Sequence, residues 1–87
     1  MRYMAMKNEK PSEPLRDMPF EKLVPLADAL EASILAMAPD ARIKDKITRP
    51  LMIVFELPDA GYADIVAAIA TRCDCAVTEV QIAEPFA

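Results

Sequence analysis

The longest apolar run in the chain lies at residues 51–57, LMIVFEL, between Pro50 and Pro58. A run of this length between two helix breakers, rich in β-branched and aromatic side chains and interrupted only by Glu56, predicts a strand buried on both faces. Apolar and polar residues alternate over residues 76–83, which predicts a second strand with one dry side, formed by Thr78 and its alternate neighbours.

The segment between these two strands has the cleanest helical spacing in the chain. Apolar side chains recur at i, i+3, i+4, i+7 and i+11, in the order Tyr62, Ile65, Val66, Ile69 and Cys73. Asp59 precedes them and is a suitable N-cap, so a helix over residues 60–72 is expected. Strand, helix and strand joined by short loops form a βαβ unit, whose two strands run parallel.

Residues 19–38 predict another helix, whose regular part begins at Pro25 and leaves residues 20–24 as a separate turn. Its core stripe is formed by Leu26, Leu30, Ile34 and Met37. Leu35 falls on the polar side of this helix between two alanines, which indicates a helix packed on two sides.

Two parallel strands do not make a stable sheet, so at least one more strand is required. It can come from residues 1–6, from residues 42–48 or from another subunit. Residues 42–48 would pair with the central strand if the chain reverses at Arg49 and Pro50. The expected fold is a small two-layer α+β or α/β domain over residues 19–87, preceded by a flexible arm over residues 1–18.

The segment at residues 39–49 concentrates basic side chains, namely Arg42, Lys44, Lys46 and Arg49. Lysines on an exposed edge strand discourage wrong strand pairing, which is the simpler interpretation. The alternative is a basic patch for an anionic ligand, although aromatic residues and glycine are absent from this segment.

Charge is divided unevenly along the 87 residues. Residues 1–50 hold nine basic and eight acidic residues, whereas residues 51–87 hold one basic and six acidic residues. Such a second half would repel nucleic acid and membrane phosphates and attract a basic protein surface. The simpler alternative is that the acids only keep an alanine-rich domain soluble.

The sequence Cys73-Asp74-Cys75 is the one motif with conceivable chemistry. Two thiolates can ligate a soft metal, and two copies of the chain would supply the four ligands of a tetrahedral zinc site. The alternative is that both cysteines are small buried side chains, since Cys73 continues the apolar face of the second helix.

Three acids, Glu56, Asp59 and Asp64, surround the carboxyl end of the central strand, where ligands bind in open parallel sheets. They could hold a magnesium ion or meet basic side chains, but helix capping and the helix dipole also explain Asp59 and Asp64. The chain has no histidine to activate a nucleophile, and no cofactor or enzymatic activity is expected.

The sequence therefore predicts a non-catalytic, small acidic protein-interaction module, a homodimer, that regulates or inhibits a partner with a basic surface. A nucleic-acid-binding protein is one example of such a partner, by analogy with small antitoxins and phage-encoded inhibitors. The residues expected to bind the partner are Leu35, Glu56, Asp59, Tyr62 and Asp64. The alternative is a metal- or ligand-sensing domain that uses Cys73 and Cys75. Without a secretory h-region or an apolar run of 18 residues, a cytoplasmic location is expected.

Overall fold

A computed structural model of the protein describes residues 1–12, 14–58 and 61–80. This part of the chain forms four strands, two α-helices and a short 3-10 turn at Leu15–Asp17. In chain order the elements are β1 (Arg2–Lys7), α1 (Phe20–Met37), β2 (Arg42–Thr48), β3 (Leu51–Glu56), α2 (Ala63–Arg72) and β4 (Cys75–Val80).

The strands form one sheet in the order β2-β3-β1-β4, and every neighbouring pair is antiparallel. The predicted two-layer α+β class is thus confirmed. The unit β3-α2-β4 is also present, but β1 lies between its two parallel strands. This order of elements and strands is the split βαβ arrangement of ferredoxin-like domains. That arrangement supports many unrelated functions, so it does not by itself assign one.

The first strand lies inside the sheet. This position confirms the alternative in which residues 1–6 supply a further strand, and it contradicts the flexible arm predicted over residues 1–18. Residues 2–7 pair with β3 on one side and with β4 on the other. Tyr3 and Ala5 are buried in the core. The arm prediction is therefore wrong for this segment, because the alternation over residues 2–7 is a strand signal that the charged, proline-containing residues after it do not continue.

The alternative pairing of residues 42–48 with the central strand is confirmed. β2 and β3 form an antiparallel hairpin that reverses at Arg49 and Pro50, with Thr48 opposite Leu51. An irregularity between Ile43 and Asp45 shifts the register by one residue. Such a bulge changes which side chains face each side of the sheet.

Both helices pack on the same face of the sheet. The alternate β3 residues Leu51, Ile53 and Phe55 are buried there, against Leu30 and Ile34 of α1 and Ile69 of α2 among others. The prediction that β3 is buried on both faces is wrong, since Met52, Val54 and Glu56 are only half-buried. Each helix joins two parallel strands across an intervening antiparallel strand, and both connections run over one side.

Helix α1 begins at Phe20, and Pro25, the predicted start of its regular part, lies inside the helix. The proline removes one backbone donor in the second turn, which ordinarily costs about 3 kcal/mol inside a helix. Leu23 and Ala27 are buried on either side of it, so packing of the first turns outweighs this cost. The predicted separate turn at residues 20–24 is therefore wrong. Leu26 is 38 % exposed, and Leu23 and Ala27 take its place in the buried stripe.

The predicted dry side of β4 is reversed. Cys75 and Val77 face the helices, whereas Thr78 and Val80 lie on the opposite side. Residues 81–83 of the predicted strand lie outside the described residues.

Candidate interaction surface

The face of the sheet that no described helix covers is the most distinctive surface of the molecule. Alternation along each strand and the pairing register place five apolar side chains at its centre. These side chains, which we call the open face, are Met4, Met6, Ile47, Met52 and Val54.

The open face is continuous across three strands. Met4 is paired with Val54, and Met52 is flanked by Met6 on one side and Ile47 on the other. All five are half-buried by their neighbours in the sheet. Methionine side chains are flexible and polarizable, and they are common on surfaces that adapt to a partner.

The size of this side of the sheet can be estimated from strand geometry. Four strands about 4.8 Å apart, each of six residues rising about 3.3 Å, cover roughly 400 Å². The open face occupies the middle of this surface, and the largest apolar patch on a monomeric protein, usually about 300–600 Å², is often functional. The open face is therefore a candidate docking surface.

Ion pairs mark one end of this side of the sheet. Glu56 Oε1 accepts a hydrogen bond from Arg2 Nη2 at 2.6 Å, and Glu56 Oε2 lies 3.6 Å from Lys44 Nζ. The hydrogen bond from Arg2, aided by the charge of Lys44, lowers the pKa of Glu56 against the opposing effect of desolvation. Glu56 is thus already paired within the chain.

Replacing Glu56 by glutamine should make the protein less stable at pH 7 but not in acid. Because the folded-state pKa of Glu56 is lowered, its contribution is present above the ordinary carboxyl value near 4.5 and is lost as the pH falls through the folded value. Urea unfolding of parent and E56Q proteins from neutral to strongly acidic pH measures this. Glu79→Gln, which alters an exposed strand glutamate with no ion pair among the described residues, is the control. A stability difference that stays constant with pH would contradict the assignment.

The residues predicted to bind a partner do not share one surface. Glu56 lies on the side of the open face, whereas Leu35, Tyr62 and Asp64 belong to the helix side. Asp64 is exposed in the first turn of α2, and the Tyr62 hydroxyl donates to Asp40 Oδ2 at 3.3 Å. Leu35 is half-buried in α1. Asp59 lies outside the described residues.

Cys73 and Cys75 are both buried free thiols. Burial, followed by the neighbouring Cys73, raises the pKa of Cys75 to about 11, and burial also raises the pKa of Cys73. Cys75 Sγ donates a weak hydrogen bond to the Cys73 carbonyl oxygen at 3.4 Å. Because the thiolate is the metal ligand and the nucleophile, this environment disfavours both uses. No group of three or more metal-ligating residues occurs within residues 1–12, 14–58 and 61–80.

The second surface of interest is the helix layer, by which we mean α1, α2, the loop after α1 and the sheet side chains that face the helices. Within the described residues this layer carries six acidic and four basic side chains. The acids are Glu21, Asp28, Glu31, Asp40, Asp64 and Glu79, and the bases are Lys7, Lys22, Lys46 and Arg72. The side of the sheet with the open face has the opposite balance, with three basic and two acidic side chains. These are Arg2, Arg42, Lys44, Asp45 and Glu56.

The charge contrast predicted between the two halves of the chain therefore becomes a contrast between two faces. Glu56 and Asp74 of the second half pair with Arg2 and Lys10 of the first half. Lys46 of β2 lies between Asp28 and Glu31 of α1, at 2.6 and 3.7 Å. The excess negative charge remains on the helix layer.

No family model, curated protein or solved structure gives a significant match to this chain. None of the described helices is long and apolar enough to cross a membrane. Function is therefore inferred from the surfaces of the molecule.

Sequence reasoning missed Met4 and Met6 as surface residues because the arm prediction covered β1. Their alternation with Tyr3 and Ala5 was the available signal.

Proposed function

We propose that the protein is a non-catalytic interaction module that pairs with a second copy through the open face and regulates a partner with a basic surface through its helix layer. The observation that carries this proposal is the continuous, methionine-rich apolar surface on the side of the sheet away from both helices.

A second copy is the occupant that fits the open face. Small domains have little core for their surface and commonly gain stability by oligomerisation. Two copies stacked face to face would form a further dry layer about 10 Å thick, as in packed sheets. With roughly 400 Å² of sheet on each chain, the contact would fall at the small end of specific interfaces.

Charge opposes this pairing only weakly. Arg2 and Lys44 share one carboxylate, that of Glu56, within the same chain. The centre of the open face carries no charged side chain. Arg42 and Asp45 lie beside it on β2, and the described residues of the whole side have a net charge of only +1, so repulsion between two identical sides is small.

A basic partner suits the surface that remains outside such a dimer. If the sheet sides are covered, both helix layers point outward, and each carries an excess of two negative charges over the described residues. Fields of one sign steer an oppositely charged protein and raise its association rate. Competition for a basic surface that also binds an anionic ligand would inhibit that ligand's binding.

Reversing a charge on the helix layer should weaken binding to a basic probe. The experiment measures the fluorescence anisotropy of a labelled lysine-rich peptide titrated with the parent chain in low and high salt. We expect salt-sensitive binding that falls several-fold in D64K, because Asp64 is exposed and unscreened by a described ion pair. Asp17→Lys makes the same charge change outside the helix layer and should have a smaller effect. Binding that is absent at low salt, insensitive to salt or equally weakened by both variants would contradict the proposed role of the helix layer.

A further inference from the structure

A cavity of about 460 Å³ lies at the end of the sheet away from Glu56. It is lined by the ends of β1, β3 and β4, by the β2–β3 turn, by Asn8 and Glu9 after β1, and by the start of the 3-10 turn. Its volume falls in the range of small-molecule sites in proteins, which is roughly 300–1,000 Å³.

Part of the cavity wall is apolar. Met6 and Leu51 contribute from the strands, Leu15 from the 3-10 turn and Pro50 from the hairpin turn. Such a wall favours the apolar body of a ligand, since it removes hydrocarbon from water.

Three basic side chains, Lys7, Arg16 and Arg49, also line the cavity, beside a single acid, Glu9. Among the described residues, none of the three has a carboxylate within ion-pair distance. Glu9 Oε1 instead accepts the backbone N–H of Arg16 at 3.2 Å. In a chain of net charge −4, this concentration of unpaired positive charge is unusual.

Backbone carbonyls hold two of these cations in place. Lys7 Nζ donates to the Cys73 carbonyl oxygen at 2.6 Å. The Arg49 guanidinium donates to the carbonyl oxygens of Arg16 at 3.3 Å and of Met18 at 2.5 Å. A guanidinium has five N–H donors, so Arg49 keeps donors for a further acceptor. The carbonyls fix both groups without neutralising them.

We propose that this cavity binds a small amphipathic carboxylate. Its carboxylate would accept charge-assisted hydrogen bonds from Arg49 and Arg16, and its hydrocarbon portion would lie along Met6 and Leu15. Arginine matches the planar geometry of a carboxylate, whereas an inorganic anion would leave the apolar wall in contact with water. This site shares Met6 with the edge of the open face, but its basic side chains lie outside that face, and the proposal does not depend on the proposed function.

The test uses octanoate, kept below its micelle concentration, as the probe for the full chain. Octan-1-ol supplies a similar hydrocarbon without charge, and inorganic phosphate supplies charge without hydrocarbon. We expect octanoate to shift backbone amide NMR signals around residues 6–9, 15–16 and 48–51. Its dissociation constant should be at least about tenfold lower than that of octan-1-ol, because hydrogen bonds to charged groups contribute more than neutral ones. Phosphate should bind more weakly than octanoate.

Arg16→Gln tests the charge directly, because this exposed side chain makes no hydrogen bond or ion pair among the described residues. The variant should weaken octanoate binding several-fold and leave octan-1-ol binding unchanged. Arg42→Gln, which removes the same charge from the other end of the sheet, should change neither. The proposal is overturned if octanoate and octan-1-ol bind equally, if phosphate binds as tightly as octanoate, if the shifts lie elsewhere, or if R16Q binds octanoate like the parent.

Discussion

Replacing Phe55 by alanine should lower the free energy of unfolding by about 3–5 kcal/mol, the usual cost of truncating a buried phenylalanine. Phe55 lies on β3, is fully buried and belongs to the cluster in which both helices meet the sheet. Its ring stacks on that of Tyr3 from β1, with centroids 5.7 Å apart. A domain of 87 residues has little stability in reserve, so this one change should leave much of the F55A protein unfolded.

Phe20→Ala is the matched control. The ring of Phe20, at the start of α1, is 59 % exposed, so its loss should change stability by no more than about 0.5 kcal/mol. Urea unfolding followed by circular dichroism measures both variants. Equal effects of the two substitutions would show that the core is not centred on β3.

The second large effect is expected on association. Met52→Lys places an ammonium group in the middle of the open face, between Met6 and Ile47. In the separate chain the new side chain can extend into water, whereas in a face-to-face dimer its charge would be buried without a partner. An unpaired buried charge costs several kcal/mol, so the dimer dissociation constant should rise by about 100-fold or more.

Light scattering over a range of micromolar concentrations measures this change. The parent should approach twice the 9.6 kDa chain mass, and M52K should remain near the single-chain mass with an unchanged circular dichroism spectrum. Ala67→Lys adds the same charge on the exposed side of α2 and should dimerise like the parent. A dimer of M52K as stable as that of the parent would exclude the open face as the interface.

Local patterns in the sequence predicted several elements of the fold. The proline-bounded run at residues 51–57 is β3, and the helical spacing that includes Ile65 and Ile69 is α2. Both patterns repeat over enough residues to indicate their secondary structure without knowledge of their neighbours. The sequence also predicted, as an alternative, the hairpin at Arg49 and Pro50, because a short turn between two extended segments favours their antiparallel pairing.

The central position of β1 could not be derived in the same way. Arg2 of β1 pairs with Glu56 and with Val80, which lie 54 and 78 residues further along the chain. Nothing local distinguishes six alternating residues at the centre of a sheet from the same residues at its edge. This changes the predicted sheet in two ways. β1 separates the two strands of the βαβ unit, and the second face of β3 is left without a helix over it.

The candidate surface was missed for the same reason. Counting charges along the chain singled out Glu56, but its pairing with Arg2 depends on β1 lying beside β3. The three methionines of the open face come from two strands and become one patch only through the strand register. By contrast, the simpler interpretation of Cys73 as a small buried side chain is confirmed.

Intermolecular NOEs between methionine methyl groups test the central claim most directly. A sample mixed from ¹³C-methyl-methionine-labelled and unlabelled chains reports only contacts between different copies. The described methionines divide into three on the open face, Met4, Met6 and Met52, and three elsewhere, Met1, Met18 and Met37. We expect intermolecular NOEs from the first three and none from the others. Intermolecular NOEs confined to Met18 or Met37, or none at a concentration where light scattering gives the mass of two chains, would contradict the account.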